Sequence, residues 1–290
     1  MSVWKASGSE GGSVPPFCGE KTGSYVLGHS QRELDRLRSQ AQLVAPFTRQ
    51  LLLDAGIVRG MRVLDVGSGA GDVAFLAGEL VGRTGEVIST DVSAAAIAAA
   101  TEAARARSAA NVRFVKADPT DMFFEKPFDA VIGRYVLLFA ADRGGTLARL
   151  LRHLRPGGVV AFHEPDWSFV RSVPGASTYD RCCQWIVETW RLAGTPNDMA
   201  DQLPAAFLAA GLPAPVMRMQ THIGAGDGIE WWLEAVADLV ASLLPAMERF
   251  GITTATEADV ATLANRLSNE VKSTTGVIIG RAEVGAWSRL

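Results

Sequence analysis

The stretch Val63-Leu64-Asp65-Val66-Gly67-Ser68-Gly69-Ala70-Gly71 decides the fold. An apolar, β-like run ends in an acid, and three alternating glycines follow before a helical pattern begins. After a buried parallel strand the backbone must reverse tightly and let a ligand come closer than a Cβ would permit, which glycine allows. The spacing narrows the ligand. A dinucleotide fingerprint needs Gly-x-Gly-x-x-Gly leading into the helix. Counted from Gly67 or Gly69, that pattern fails by one position, and Asp-x-Gly-x-Gly-x-Gly stands in its place.

Working outward, the helix Asp72 to Val81 presents Val73, Leu76, Ala77 and Leu80 on one face. A second strand, Glu86 to Thr90, ends in Asp91, where a βαβ nucleotide site meets a ribose. Val92 follows it, and Ser93 caps the Ala-rich helix beyond. The third strand, Val112 to Ala117, again ends in an acid, Asp118, which with Pro119 also suits a turn. Phe128 to Gly133 is a continuous apolar run expected of a strand covered on both faces, and it finishes at Arg134-Tyr135. Asp142 to Leu154 is read as a helix, and Arg155-Pro156-Gly157-Gly158 turns into the strand Val159 to His163.

The Asp-x-Gly-x-Gly-x-Gly turn, the strand-tip acids and the Leu-Arg-Pro-Gly-Gly strand resemble class I S-adenosylmethionine (SAM)-dependent methyltransferases over residues 25–165. They are similar in particular to the group containing the ubiquinone/menaquinone-biosynthesis C-methyltransferases. The resemblance implies a doubly wound, seven-stranded, mostly parallel α/β sheet of Rossmann-like type. It implies that Asp65, Gly67, Ser68, Gly69 and Gly71 hold the amino-acid end of SAM, Asp91 and Val92 the ribose side, and Asp118 the adenine amino group, with Arg134 over the cofactor. Exocyclic-amine methyltransferases of nucleobases carry an Asn or Asp-Pro-Pro-aromatic signature where this chain has Gly133-Arg134-Tyr135-Val136, so base methylation is disfavoured.

Before the turn, residues 1–24 are rich in Gly and Ser and are expected to form a loose tail. Ser30 and Glu33 make a capping-box spacing, and Leu34, Leu37, Ala41 and Val44 open an amphipathic helix. Pro46 is expected to break or kink it before a second helix from Phe47 to Ala55. Residues 25–56 then form a lid over the core at residues 61–165, with Tyr25 and Gln40 as cofactor contacts.

Beyond residue 165 the likeness thins. Residues 166–213 and 228–272 are read as helical cap insertions. The first carries a Tyr179, Cys183, Ile186, Trp190 face, and the second a Trp232, Leu233, Val236, Val240, Leu243 stripe followed by a Thr254 to Glu257 capping box. Val216 to Ile223 is strand six and Gly276 to Trp287 strand seven. Ligands of open α/β sheets lie beyond the carboxyl ends of the strands, so the cap should meet the acceptor. Tyr135, Trp167, Trp185, Trp190 and Trp232 are the expected substrate contacts, and so aromatic a set suits a small apolar or aromatic molecule. Glu164 and His163, at the end of strand five, are the expected catalytic pair, with Glu164 the base.

Composition agrees with an enzyme of this size. The 290 residues are 48% hydrophobic and 20% charged with a net charge of −3, enough for a substantial core and no overall electrostatic footprint for nucleic acid. No apolar run reaches the ~20 residues of a membrane span, and the start lacks a signal-peptide pattern, so a cytoplasmic location is expected. Cys18, Cys182 and Cys183 show no ligand spacing, the histidines lie on separate elements, and no metal is expected. Homo-oligomerisation is left open. The expected function is SAM-dependent methyl transfer to carbon or oxygen of a small apolar acceptor of quinone, polyketide or prenyl type. The alternatives are a non-catalytic SAM-binding protein and a nicotinamide-dependent oxidoreductase.

Overall fold

The computed structural model describes residues 31–274 and 276–290, with side chains placed from residue 43 onward. Tyr25 and the expected tail therefore lie outside the described residues. Gln40 lies within the first helix, and its side chain is outside the described set.

Parallel strands β1 (Arg62–Val66), β2 (Glu86–Asp91), β3 (Val112–Lys116), β4 (Phe128–Arg134) and β5 (Leu154–Asp166) run in the order β3-β2-β1-β4-β5. The order reverses at β1, which puts the crevice above the β1 and β4 ends where the glycine turn lies. β8 (Val277–Arg289) pairs antiparallel with β5, and β7 (Val216–Gly224) pairs antiparallel with β8. The short strand β6 (Arg171–Val173) takes Val277 to Ile279 of β8, where β5 has already left that edge at Ala282. It is an eighth strand where seven were expected, and three exposed or half-buried residues gave it no periodic signal.

Alternation along the strands explains the two covered faces. Leu64, Ile88, Val131, Val160 and Phe162 pack with α4 (Arg143–Leu151) and α6 (Met199–Ala209). Their neighbours Val63, Val87, Ala130, Ile132, Val159 and Ala161 pack on the opposite side with α1 (Gln31–Asp54) and α2 (Asp72–Val81). Side chains one apart on a strand face opposite ways, so each continuous apolar run feeds both cores. Helix α3 (Ala94–Ala106) starts as expected, with the Ser93 hydroxyl accepting from the Ala96 amide at 3.3 Å.

Two helix boundaries differ from the sequence reading. Pro46 lies inside α1 without ending it. Val44, Phe47, Leu51 and Leu52 remain buried along one face across the proline, and that continuous burial outweighs one missing amide bond. The Thr254 hydroxyl accepts from the Glu257 amide at 3.2 Å, but the Glu257 carboxylate accepts from the Thr253 hydroxyl, so only half of the capping box forms. The helix it starts, α8 (Ala255–Ala258), stops at Asp259, whose φ is +40°. A second helix, α9 (Leu263–Ser273), follows after this break.

The cap has its own core. Helices α5 (Ser177–Leu192), α7 (Glu230–Arg249) and α9 bury Tyr179, Cys183, Ile186, Trp190, Leu233, Val236, Val240 and Leu267 together. Asp166, buried at the end of β5, ties the cap to the sheet by accepting from the Ser168 and Ala200 amides at 2.8 Å each.

Candidate functional site at the carboxyl edge of the sheet

The glycine turn is shaped as its sequence demands. Gly67 has φ +76°, and a Cβ there would sit 2.7 Å from Val136 Cγ2. Gly71 has φ +93° and would meet the Phe75 and Phe114 rings at 2.8 and 2.9 Å, so neither position accepts a side chain. At Gly69, φ +49°, an added Cβ would meet open space, so this part of the turn faces outward toward the crevice. The Gly67 and Ser68 amides both donate to the Thr90 carbonyl at 2.8 Å, clamping the turn to the end of β2.

Beneath the turn, Asp65 is buried, and its Oδ2 accepts from the Ser89 hydroxyl at 2.6 Å. Its Oδ1 and the Ser68 hydroxyl are buried without a hydrogen-bond partner among the described residues. Two orphaned acceptors beside an open glycine call for a ligand donor. Burial pushes the Asp65 pKa up to about 7, with the Ser89 hydrogen bond and the nearby Arg134 charge opposing it.

Asp91 spans the next position. Its Oδ2 accepts from the Gly69 amide at 3.0 Å and its Oδ1 from the Ser93 amide at 2.8 Å. Each oxygen keeps acceptor capacity for a hydroxyl pair. Val92 beside it is 48% exposed, an apolar side chain at the crevice rather than in a core. Asp118 follows β3 and accepts from both the amide and hydroxyl of Thr120, at 2.8 and 2.7 Å, so the turn reading of Asp118-Pro119 holds geometrically.

Across the crevice lies a polar network that joins distant parts of the chain. Arg134 donates to the Thr48 hydroxyl at 3.4 Å, and Thr48 lies 3.0 Å from His163 Nδ1. His163 Nε2 lies 2.8 Å from Glu283 Oε2, the same oxygen that accepts from the Tyr135 hydroxyl at 2.6 Å. Arg281 closes the ring, donating to Glu283 Oε1 at 2.9 Å and to the Tyr135 hydroxyl at 2.7 Å. Burial of Glu283 is outweighed by Arg281 and these donors, and its pKa falls to about 2. Burial lowers the His163 pKa, so the ring is neutral and donates through Nε2. Tyr135 has φ +58°, an uncommon conformation for a bulky residue, and the two bonds to its hydroxyl fix it there. Burial raises its pKa, keeping the phenol protonated.

Both expected catalytic residues have surroundings other than the crevice. The His163 ring is fully buried with both nitrogens engaged, against Phe47 at 4.7 Å between centroids. Glu164, pointing to the other face of β5, is equally buried and accepts from the amides of Val136, Leu137 and Leu138 at 3.0, 2.8 and 3.4 Å. The cation in its field is Arg143, at the start of α4. It secures the 3-10 turn Leu137–Phe139 behind the site, and burial raises its pKa to about 8.

The expected aromatic contacts divide. Arg281 lies 5.2, 5.8 and 6.0 Å from the ring centroids of Tyr135, Trp167 and Trp232, which brings these three together at the edge. Trp185 and Trp190 are buried with Trp167 and Trp232 in the apolar cluster of the cap, on two neighbouring stripes of α5, and among the described residues Arg281 lies over neither ring. Thr48, Arg281 and Glu283 were not anticipated. A signal existed for the last two, since charges two apart on an otherwise apolar strand share one face.

Among the described residues, no cluster of three His, Cys, Asp or Glu side chains converges to hold a metal, and no helix is long and apolar enough to cross a membrane.

Comparison with known proteins gives the following matches. A family model described as a methyltransferase domain matches residues 57–201. Aklanonic acid methyltransferase DauC of Streptomyces sp. (strain C5) is 34% identical over 147 residues, 50% of this chain and 66% of that protein. Ubiquinone/menaquinone biosynthesis C-methyltransferase UbiE of Idiomarina loihiensis is 35% identical over 112 residues, 38% of this chain and 45% of that protein. The matched region thus spans less than two thirds of either relative's length. Among solved structures, the [4+2]-cyclase SpnF aligns over 85% of this chain and 81% of its own with a TM-score of 0.51 and 22% identity, a likeness of fold.

Proposed function

The chain belongs to the methyltransferase-domain family, and on that premise we propose that it transfers a methyl group from SAM to carbon or oxygen of a small apolar acceptor. The observation that carries this reading is the pair of orphaned acceptors, Asp65 Oδ1 and Ser68 Oγ, buried beside the open glycine turn. An ammonium with its own hydrogens satisfies both, and the α-amino end of SAM carries one. The Arg134 charge near Asp65 suits the carboxylate of the same end. Asp91, accepting from the Gly69 amide with acceptor capacity left on both oxygens, suits the two ribose hydroxyls, and exposed Val92 suits an apolar contact with the adenine. Asp118 takes the adenine edge, with its carboxylate already oriented by Thr120.

SAM supplies an electrophilic methyl group on a sulfonium, displaced in line by the acceptor. The chain's part is alignment and exclusion of water. Tyr135 holds its neutral phenol at the end of β4 between Arg281 and Glu283, positioned as a hydrogen-bonding group rather than a base. Glu164 acts behind the site as a positioning residue for residues 136–138. Trp167 and Trp232 wall the acceptor region on the cap side. The matched relatives act, by their names, on aklanonic acid and in quinone biosynthesis, which favours an aromatic or polyketide acceptor.

The test is turnover of isotopically methyl-labelled SAM against matched quinol, phenol and polyketide acceptors. Label transfer to one of them supports the reading. Tight SAM binding with no transfer to any class assigns the chain to SAM binding without transfer.

A further inference from the structure

A second concave site opens at the same edge of the sheet, between the start of α4, the end of α5 and the start of α6. Its volume is about 420 Å³, and its lining includes Arg143, Arg191, Thr195, Asn197, Asp198 and Gln202. Three observations say what it is built to meet. Arg143 Nε is buried without a hydrogen-bond partner among the described residues. The other cation, Arg191, is already engaged by both oxygens of Glu188 at 2.7 and 2.6 Å, whereas Arg143 feels the Glu164 and Asp198 carboxylates without an ion pair to either among the described residues, so its guanidinium keeps donors for a ligand. Asn197 Oδ1 is also buried and unpartnered, while its Nδ2 donates to the Val187 carbonyl at 3.0 Å and fixes which way the amide points. The groove therefore offers an unused donor on a cation and an unused acceptor on a fixed amide.

Asp198 decides between ligand classes. A simple anion would meet its carboxylate at close range, whereas a ligand carrying both charges would not be penalised. Asp198 Oδ2 accepts from Gln202 Nε2 at 3.2 Å, and its carboxylate lies in the field of Arg143, so the two groups present opposite charges to one ligand. We propose that this groove binds an α-amino carboxylate, with its carboxylate on Arg143 and its ammonium on Asn197 Oδ1 and Asp198. The ligand is either a free amino acid or the amino-acid end of a larger acceptor. Only the second source rests on the methyl-transfer reading. The groove is separate from the residues assigned to SAM, whose own amino-acid end belongs at Asp65 and Arg134.

The test is calorimetry on the full chain held saturated with S-adenosylhomocysteine, using L-phenylalanine, 3-phenylpropanoate and phenethylamine as matched probes. L-Phenylalanine is expected to bind about tenfold or more tightly than either probe lacking one charge. Arg143→Gln should bring it to the level of phenethylamine, and Arg143→Lys should restore part of the difference. S-adenosylhomocysteine affinity, measured on the same variants, should stay within about twofold and shows that each is folded. With methyl-labelled SAM in place of S-adenosylhomocysteine, label transfer to phenylalanine assigns the groove to the acceptor, and binding without transfer assigns it to a free amino acid. Equal affinity for the three probes, or a preference that survives Arg143→Gln, overturns the proposal whether or not SAM binds.

Discussion

His163 Nε2 and Glu283 Oε2 meet at 2.8 Å across 120 residues of sequence, both side chains enclosed in the protein. β5 and β8 place His163 opposite Gly285 and Pro165 opposite Glu283, so the pair is a diagonal cross-strand contact on one face of the sheet. Through Tyr135 and Thr48 it couples the end of β4 to α1 and the last strand, beside the crevice where the proposed cofactor lies.

Glu283→Gln should show what that network contributes. The carboxyl of Glu283 falls from the ordinary 4.5 to about 2 on folding, so its stabilisation is present above the unfolded pKa and is lost as pH drops from about 4.5 through 2. A shift of that size corresponds to about 3 kcal/mol. Urea unfolding between pH 2 and 6 should show a steep acid limb in the wild type and a shallow one in the variant. Equal limbs would place the acid sensitivity elsewhere.

Asp65 should make cofactor binding weaken as pH falls, in a window well above that of an ordinary carboxylate. Its pKa is raised to about 7 without ligand, and an ammonium beside it stabilises the ionised form. Binding must then release a proton below about pH 7, and affinity should weaken by up to tenfold per pH unit on going from 7 to 6. Calorimetry in buffers of different ionisation enthalpy detects the proton. Asp65→Asn should bind more weakly and lose the pH dependence.

These two predictions rest on features of unequal legibility in the sequence. Asp65, Gly67, Gly71 and Asp91 could be placed because strand ends and glycine spacing are local signals, and the φ values of +76° and +93° at the glycines follow from the same turn. Strand five reads as ending at His163, but β5 runs on to Asp166 and pairs Glu164 with Val284, and the amide partners of Glu164 could not be read. Which face a strand residue takes depends on register with strands far along the chain, and here that parity turns Glu164 toward residues 136–138. The same reason hid Glu283. Pro46 misled because a local breaker competes with burial of Phe47 and Leu51, which only the folded packing supplies.

Glu164→Gln separates positioning from proton removal. The folded pKa is raised to about 8, so the stability Glu164 contributes is fully present below its unfolded value and is lost as pH rises through 8. Gln cannot accept at its amide nitrogen and should leave the Leu138 amide unpaired, at a cost of about 1–2 kcal/mol near pH 5 that shrinks toward pH 8. If Glu164 is a positioning residue, turnover falls less than about tenfold and follows the stability loss. A drop of a hundredfold or more, with stability and SAM affinity unchanged, would make it the base.

Asp91→Ala should weaken SAM by at least about 1.5 kcal/mol, since it removes charge-assisted acceptors for two hydroxyls and frees the Gly69 amide. Asp118→Ala should cost less, because Asp118 would accept from one adenine amine where Asp91 would accept from two ribose hydroxyls. The two dissociation constants measured side by side check the order.

The most direct measurement is calorimetric titration of the wild-type chain with S-adenosylhomocysteine and, separately, with NAD. The account predicts one S-adenosylhomocysteine per chain, at least about tenfold tighter than NAD, with affinity lost in Asp65→Asn and Asp91→Ala. Binding of NAD at equal or greater affinity, or S-adenosylhomocysteine binding indifferent to both substitutions, would contradict it.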